Sequence, residues 1–147
     1  MDISDTAVTE ARGGCLCGAV RYQVSGPLRP SVACHCEQCR RTSGHYVSAT
    51  ACRQRDLTFD EDRGLAWYRS SDFAERGFCR ECGSSLFYRR TNVTPEEQRI
   101  SIMSGTLDTP TGLSTAGHIF CAAKSDYYEI ADDTPHLSIG YDSAPYD

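Results

Sequence analysis

Seven of the nine cysteines stand in three tight clusters: Cys15-Leu16-Cys17, then Cys34-His35-Cys36 with Cys39, then Cys79-Arg80-Glu81-Cys82. Thiolate sulfur binds zinc at about 2.3 Å, and close-set cysteines grip a single ion from a tight backbone knuckle. A closed structural zinc takes four ligands, so seven thiols leave three. Three protein ligands beside an open position are the arrangement of a catalytic metal. An open three-thiolate zinc binds an incoming thiol, lowers its pKa and holds the thiolate ready to add to an electrophilic carbonyl carbon. The oxyanion of the adduct then needs a donor or a proton, and the reverse direction needs a base.

The polar groups nearest in sequence to the middle cluster are His35, Arg40, Ser43 and His45. His35 is the candidate for proton transfer. Arg40, with Arg41, is the candidate to grip ligand carboxylates, because guanidinium matches carboxylate bidentately. The fourth ligand position of the middle cluster is left to water or to one of Cys52, His45, His35, Cys121 and His118. Cys121 is in phase with Ile119 along a strand, which reads as a buried apolar thiol. Tyr127, Tyr128, Trp67 and Phe87 read as core or sheet-face aromatics.

Composition narrows the setting. A chain of 147 residues fits one domain, expected over residues 13–147 behind a flexible leader at 1–12. The formal net charge of −5 assumes neutral thiols. Seven thiolates around two zinc ions would take it to about −8, which disfavours nucleic acid as a partner. A disulfide scaffold fits an odd cysteine count poorly, and Met1 to Arg12 lacks the basic start and apolar core of a secretory signal. No apolar run is long enough to cross a bilayer. The expected compartment is a reducing cytoplasm, where thiols stay free for metal.

These residues must be held by strands. Alternating stretches recur at Ala19–Val24, Tyr46–Cys52, Asp56–Phe59, Leu65–Tyr68, Ser85–Tyr88, Arg99–Met103, His118–Ala122 and Tyr127–Ile130, separated by turn signals. One short helix is expected from Glu37 to Ser43, stopped by Gly44. The fold class is mainly β, in small antiparallel sheets. Cys15 and Cys17 precede one strand, while Cys79 and Cys82 form a knuckle leading into another, with Gly83 supplying the positive φ of the turn. A zinc there would staple strands about sixty residues apart.

The ordered motifs Gly14-Cys15-Leu16-Cys17-Gly18-Ala19-Val20-Arg21-Tyr22, Cys34-His35-Cys36-Glu37-Gln38-Cys39-Arg40-Arg41-Thr42-Ser43-Gly44, Phe78-Cys79-Arg80-Glu81-Cys82-Gly83-Ser84 and Gly105-Thr106-Leu107-Asp108 carry a family resemblance. Later residues, His118-Ile119-Phe120 and Tyr128 to Asp133, extend it. Over residues 13–137 the chain resembles the glutathione-dependent formaldehyde-activating enzymes, a family that includes the centromere protein V domain. The resemblance implies a β-tent fold, two zinc ions and carbon-sulfur lyase chemistry: reversible addition of glutathione to formaldehyde to give S-hydroxymethylglutathione. It implies a structural zinc on Cys15, Cys17, Cys79 and Cys82 and a second on Cys34, Cys36 and Cys39. Glutathione becomes the expected co-substrate, and a small thiol and an aldehyde the expected partners. Where a Trp is common in the family, this chain carries Tyr127-Tyr128. The alternative is a non-catalytic zinc module that binds a protein, with a closed second site and an exposed apolar patch.

Overall fold

In the computed structural model, which describes residues 1–146, the alternating stretches build ten strands around one short helix. The strands are β1 (Glu10–Gly14), β2 (Arg21–Ser25), β3 (Ser31–Cys34), β4 (Val47–Arg53), β5 (Leu57–Glu61), β6 (Leu65–Ser71), β7 (Ala74–Cys79), β8 (Ser85–Arg90), β9 (Arg99–Met103) and β10 (Thr115–Ile119); helix α1 is Glu37–Ser43. A three-stranded sheet runs β1-β2-β5, and a seven-stranded sheet runs β10-β3-β4-β9-β8-β7-β6. The fold is mainly β, as expected. One sheet is larger than the small sheets anticipated, and β10 pairs with β3 in parallel.

The main core lies between the two sheets. Tyr22 and Val24 of β2 and Leu57 of β5 pack against Cys52, Leu86, Phe87, Ile100 and Ile102 of the larger sheet. Phe87 is the hub. Tyr22 and Phe59 meet its ring edge-on at centroid distances of 5.2 and 5.8 Å, and Trp67 stacks on it at 6.1 Å. Strand alternation then sends Ser101 and Met103 of β9, and Val47 and Ala49 of β4, to the opposite face of the larger sheet, where they line a cavity.

Three expectations shift. The segment expected as a leader contributes β1, whose Glu10 to Gly14 pair with Ser25 to Arg21. Its earlier residues are tied down by Thr6 N donating to Leu28 O and Leu28 N donating to Val8 O, both pairings across a wide sequence gap that local patterning does not reveal. β10 ends at Ile119 because Phe120 takes a left-handed backbone, φ 55°, and Cys121–Ala123 form a 3-10 turn. Tyr127–Ile130 forms no strand, since its aromatics pack on histidines instead of a sheet neighbour.

Gly64, in the β5–β6 turn, shows how tightly the thiols are built into this frame. A Cβ there would lie 2.7 Å from Ala19 Cβ and 2.8 Å from Cys79 Sγ. Its φ is not in the left-handed region, so alanine meets a purely steric obstacle. Gly64→Ala is expected to cost about 1–3 kcal/mol. The check is the urea midpoint together with metal retention after dialysis, and a midpoint equal to wild type would show that the turn yields freely.

Candidate functional site

The first and third cysteine clusters converge. Cys15 and Cys17 occupy the β1–β2 turn, Cys79 ends β7, and Cys82 lies in the turn into β8. All four sulfurs lie within 4.8 Å of one another. Cys17 Sγ is 3.7 Å from Cys15 Sγ and 3.8 Å from Cys79 Sγ. Zinc-sulfur bonds of about 2.3 Å give a tetrahedron with edges of about 3.8 Å, so the spacing fits zinc. Val20 N donates to Cys15 Sγ at 3.2 Å, and the Ser84 hydroxyl lies 3.2 Å from Cys82 Sγ. That hydroxyl contact is the first cause holding the Cys82 pKa down at about 5. The expected positive φ of Gly83 is present at 81°, and its N–H donates to Cys79 O.

Cys34, Cys36 and Cys39 form a second group, also within 4.8 Å. Cys34 ends β3, and Cys36 caps α1 by accepting from Cys39 N at 3.3 Å. The helix spans Glu37–Ser43 as expected, with Gly44 left-handed at φ 87°. Pairing with Cys34, and then with Cys39, holds the Cys36 thiol far below its ordinary range, while the same contacts push Cys34 up. Among the described residues, no His, Cys, Asp or Glu joins this trio at ligand spacing.

The residues considered as a fourth ligand are engaged elsewhere. Cys52 is buried in the main core, where burial raises its pKa to about 12. Cys121 is buried beyond β10, as expected for an apolar thiol. His45 pairs with Tyr127 Oη, and His35 pairs with His118; Ser43, singled out for its place beside the thiols, hydrogen-bonds Cys39 O within its own helix.

The trio opens onto a cavity of about 700 Å³. Its wall includes Arg29, Arg76 and Arg90, which come from different parts of the chain. Arg29 and Arg76 are each only 9% exposed. Among the described residues, none of the three lies within salt-bridge reach of a carboxylate. Arg76 aims Nη2 and Nη1 at Cys39 Sγ, at 3.8 and 3.9 Å, and its buried Nε has no partner. Tyr88 lines the same wall under the Arg76 guanidinium, and burial raises its pKa, which keeps the hydroxyl protonated.

Three residues singled out from sequence do not reach this cavity. Arg40 is half-buried outside its lining, and Arg41 turns to Glu37 in an exposed ion pair. His35 is fully buried on the other side of β3, because side chains alternate: Val32 and Cys34 face the cavity, and Ala33 and His35 face away. There it packs among Tyr46, His118 and Tyr128, and burial lowers its pKa to about 4. Tyr127 and Tyr128 therefore belong to a histidine cluster and not to the core. The alternation that put His35 out of phase with Cys34 was the available signal. For Arg29, Arg76 and Arg90 no local signal existed, since the tertiary fold gathers them from the β2–β3 connection, β7 and β8.

The chain is similar to known proteins in sequence and in fold. The family model described as glutathione-dependent formaldehyde-activating enzyme matches residues 10–123. An uncharacterized lyase of Schizosaccharomyces pombe is 36% identical over 83 residues, which is 56% of this chain. The match spans 60% of that relative's length. The crystal structure of a Rhodobacter sphaeroides protein superimposes with a TM-score of 0.53 at 27% identity, covering 71% of this chain and 97% of that one. Cysteine knuckles, mainly β architecture and a match over most of its length agree: the chain belongs to the glutathione-dependent formaldehyde-activating enzyme family.

Proposed function

We propose that this protein is a carbon-sulfur lyase that makes and breaks the adduct of a carboxylate-bearing thiol and a small aldehyde, with glutathione and formaldehyde as the reference pair. The observation that carries the reading is the shared cavity: three thiols without a fourth protein ligand among the described residues, faced by three arginines without carboxylate partners. A zinc ion on Cys34, Cys36 and Cys39 would supply the Lewis acidity that keeps an incoming thiol deprotonated near neutral pH.

The chain's own residues do the rest. Arg29, Arg76 and Arg90 offer positive charge to the two carboxylates of a glutathione-like thiol, and low exposure strengthens the attraction from the first two. Val32, Ala49, Met103 and Phe120 wall the cavity with apolar surface that limits water. In the forward direction the thiolate sulfur gives its pair to the carbonyl carbon, and the carbonyl π pair moves to oxygen, which then takes a proton. In the lyase direction the hydroxyl proton leaves, the carbonyl re-forms and sulfur departs with the bonding pair. Tyr88, in the cavity wall, would donate to the oxyanion in both directions. The non-catalytic alternative needs a closed second site, and no fourth side-chain ligand supports that among the described residues.

Exchange of carbon-13 between formaldehyde hydrate and S-hydroxymethylglutathione, followed by NMR, tests the activity. Zinc-loaded protein is expected to accelerate exchange well above the buffer rate. No acceleration by protein carrying metal at both cysteine groups would end this proposal.

The two cysteine groups should respond differently to loss of one ligand. Cys36→Ser is expected to release one ion and abolish exchange while the fold persists, because serine also caps a helix N-terminus. Cys79→Ser is expected to destabilise the whole chain by several kcal/mol, on the order expected for a structural zinc. Metal analysis beside thermal unfolding checks both, and equal destabilisation by the two changes would contradict the division of labour.

Arg76→Met is expected to raise the KM for glutathione by about 10-fold or more, from loss of a charge-assisted contact. Tyr88→Phe is expected to lower kcat by about 10²-fold with little change in KM. Steady-state kinetics with glutathione varied separates the two effects, and wild-type KM in Arg76→Met would remove that arginine from the binding site.

A further inference from the structure

On the far side of β3 from the thiol cavity, three more ligand-type side chains meet. His118 lies on β10, and Asp132 and His136 come from the segment that returns along it. His118 N donates to Pro135 O at 2.9 Å and Leu137 N donates to His118 O at 2.9 Å, a pairing that places His136 beside His118. His118 Nε2 is 2.7 Å from Asp132 Oδ2, and His136 Nε2 is 3.3 Å from Asp132 Oδ1. One ligand atom from each residue lies within 4.8 Å of the others. Metal-ligand bonds of about 2.1 Å give ligand-ligand edges of about 3.0 Å in an octahedron and 3.4 Å in a tetrahedron; the 3.3 Å spacing lies in that range, and the 2.7 Å contact would open by a few tenths of an ångström on binding.

We infer that His118, Asp132 and His136 form a third metal site, separate from both cysteine groups, that takes a divalent first-row transition ion such as zinc through two imidazole Nε2 atoms and one carboxylate.

Three further observations support it. A ligating histidine needs a partner on its other ring nitrogen to fix the tautomer, and His118 Nδ1 has one in His35 Nε2 at 2.8 Å. His35 is itself held by Tyr128 Oη on its Nδ1 side, so the partner is a buried, oriented ring. The Asp132 carboxylate is likewise fixed, by Thr134 N donating to Oδ1 at 3.0 Å. Burial differs across the site in the useful direction: the His118 side chain is 6% exposed, while those of His136 and Asp132 are 22% and 48% exposed, which leaves an entry path from solvent.

Asp132 and His136 lie beyond residues 10–123, the span matched by the family model, so the site draws two of its three ligands from outside that match. Its effect would be local anchoring. The same returning segment carries Gly140 and Tyr141 to the wall of the thiol cavity, so a metal at this site would pin the strand of chain that closes one side of it.

Zinc uptake by the full chain tests the inference. The Asp132→Asn/His136→Gln double variant changes only partly exposed groups. After equilibrium dialysis against Zn²⁺, wild type is expected to hold about one ion more per chain than the variant. Cobalt substitution should give both proteins the same thiolate charge-transfer absorption, showing that the cysteine groups are intact. On wild type alone, added Zn²⁺ is expected to shift the imidazole nitrogen-15 resonances of His118 and His136. Equal zinc content in the two folded proteins, or histidine resonances that do not move, would overturn the third site. If the double variant fails to fold, the resonance measurement on wild type decides.

Discussion

Strand alternation in the seven-stranded sheet decides which side chains the thiol cavity draws on. Along β9, Ile100 and Ile102 enter the main core while Ser101 and Met103 line the thiol cavity. Along β3, Val32 and Cys34 face that cavity, and Ala33 and His35 face the histidine cluster. A one-residue slip in the pairing of β3 with β4 would exchange these faces, burying a thiol where the histidines meet and leaving an imidazole among the arginines. The register is held by core burial on one side, so the arrangement of the site is a by-product of packing the core correctly.

Within the cavity the decisive balance is between charge and burial. Thiolates close together repel, and an apolar wall makes that repulsion stronger. Arg76 offsets it by directing two N–H groups at Cys39 Sγ from a site that is itself nearly closed to water. A guanidinium stays charged when buried, which a lysine would not do as reliably. Arg29 and Arg90 add positive charge farther along the same wall. The cavity is therefore polarised toward anions before any ligand arrives, even though the chain as a whole carries a formal charge of −5. Net charge describes the surface, and the site works against it.

Much of this was readable in the sequence where a signal was local. The helix after the middle cluster and the left-handed Gly44 and Gly83 follow from residues adjacent in the chain, while the grouping of cysteines into four and three came from the family resemblance. What escaped was non-local. β1 looked like a polar leader because its partners, Arg21 to Ser25, fix its structure from a distance. Arg40 was the natural anion contact beside the thiols, yet it lies outside the cavity lining, and the arginines that do line it come from the β2–β3 connection, β7 and β8. Tyr127 and Tyr128 read as sheet aromatics, and only the returning chain shows them against His45 and His35. Sheet topology brings such residues together, and one-dimensional periodicity carries no record of it.

The two cysteine groups differ most in the length of chain they close. Cys17 and Cys79 are 62 residues apart, so fixing their sulfurs in contact removes a large amount of freedom from the unfolded chain. Cys34, Cys36 and Cys39 span little more than one helical turn, and their geometry is already set by the end of β3 and the cap of α1. Metal held by the first group would thus be part of the folding free energy, and exchanging one of its ligands for a substrate would loosen the link between the two sheets. Metal held by the second group closes almost no loop. Its coordination can change while the scaffold stays in place, and that independence is what a site that binds and releases a thiol requires. On the proposed function, the chain would thereby separate thiols that hold its shape from thiols available for chemistry, although both use the same kind of ligand.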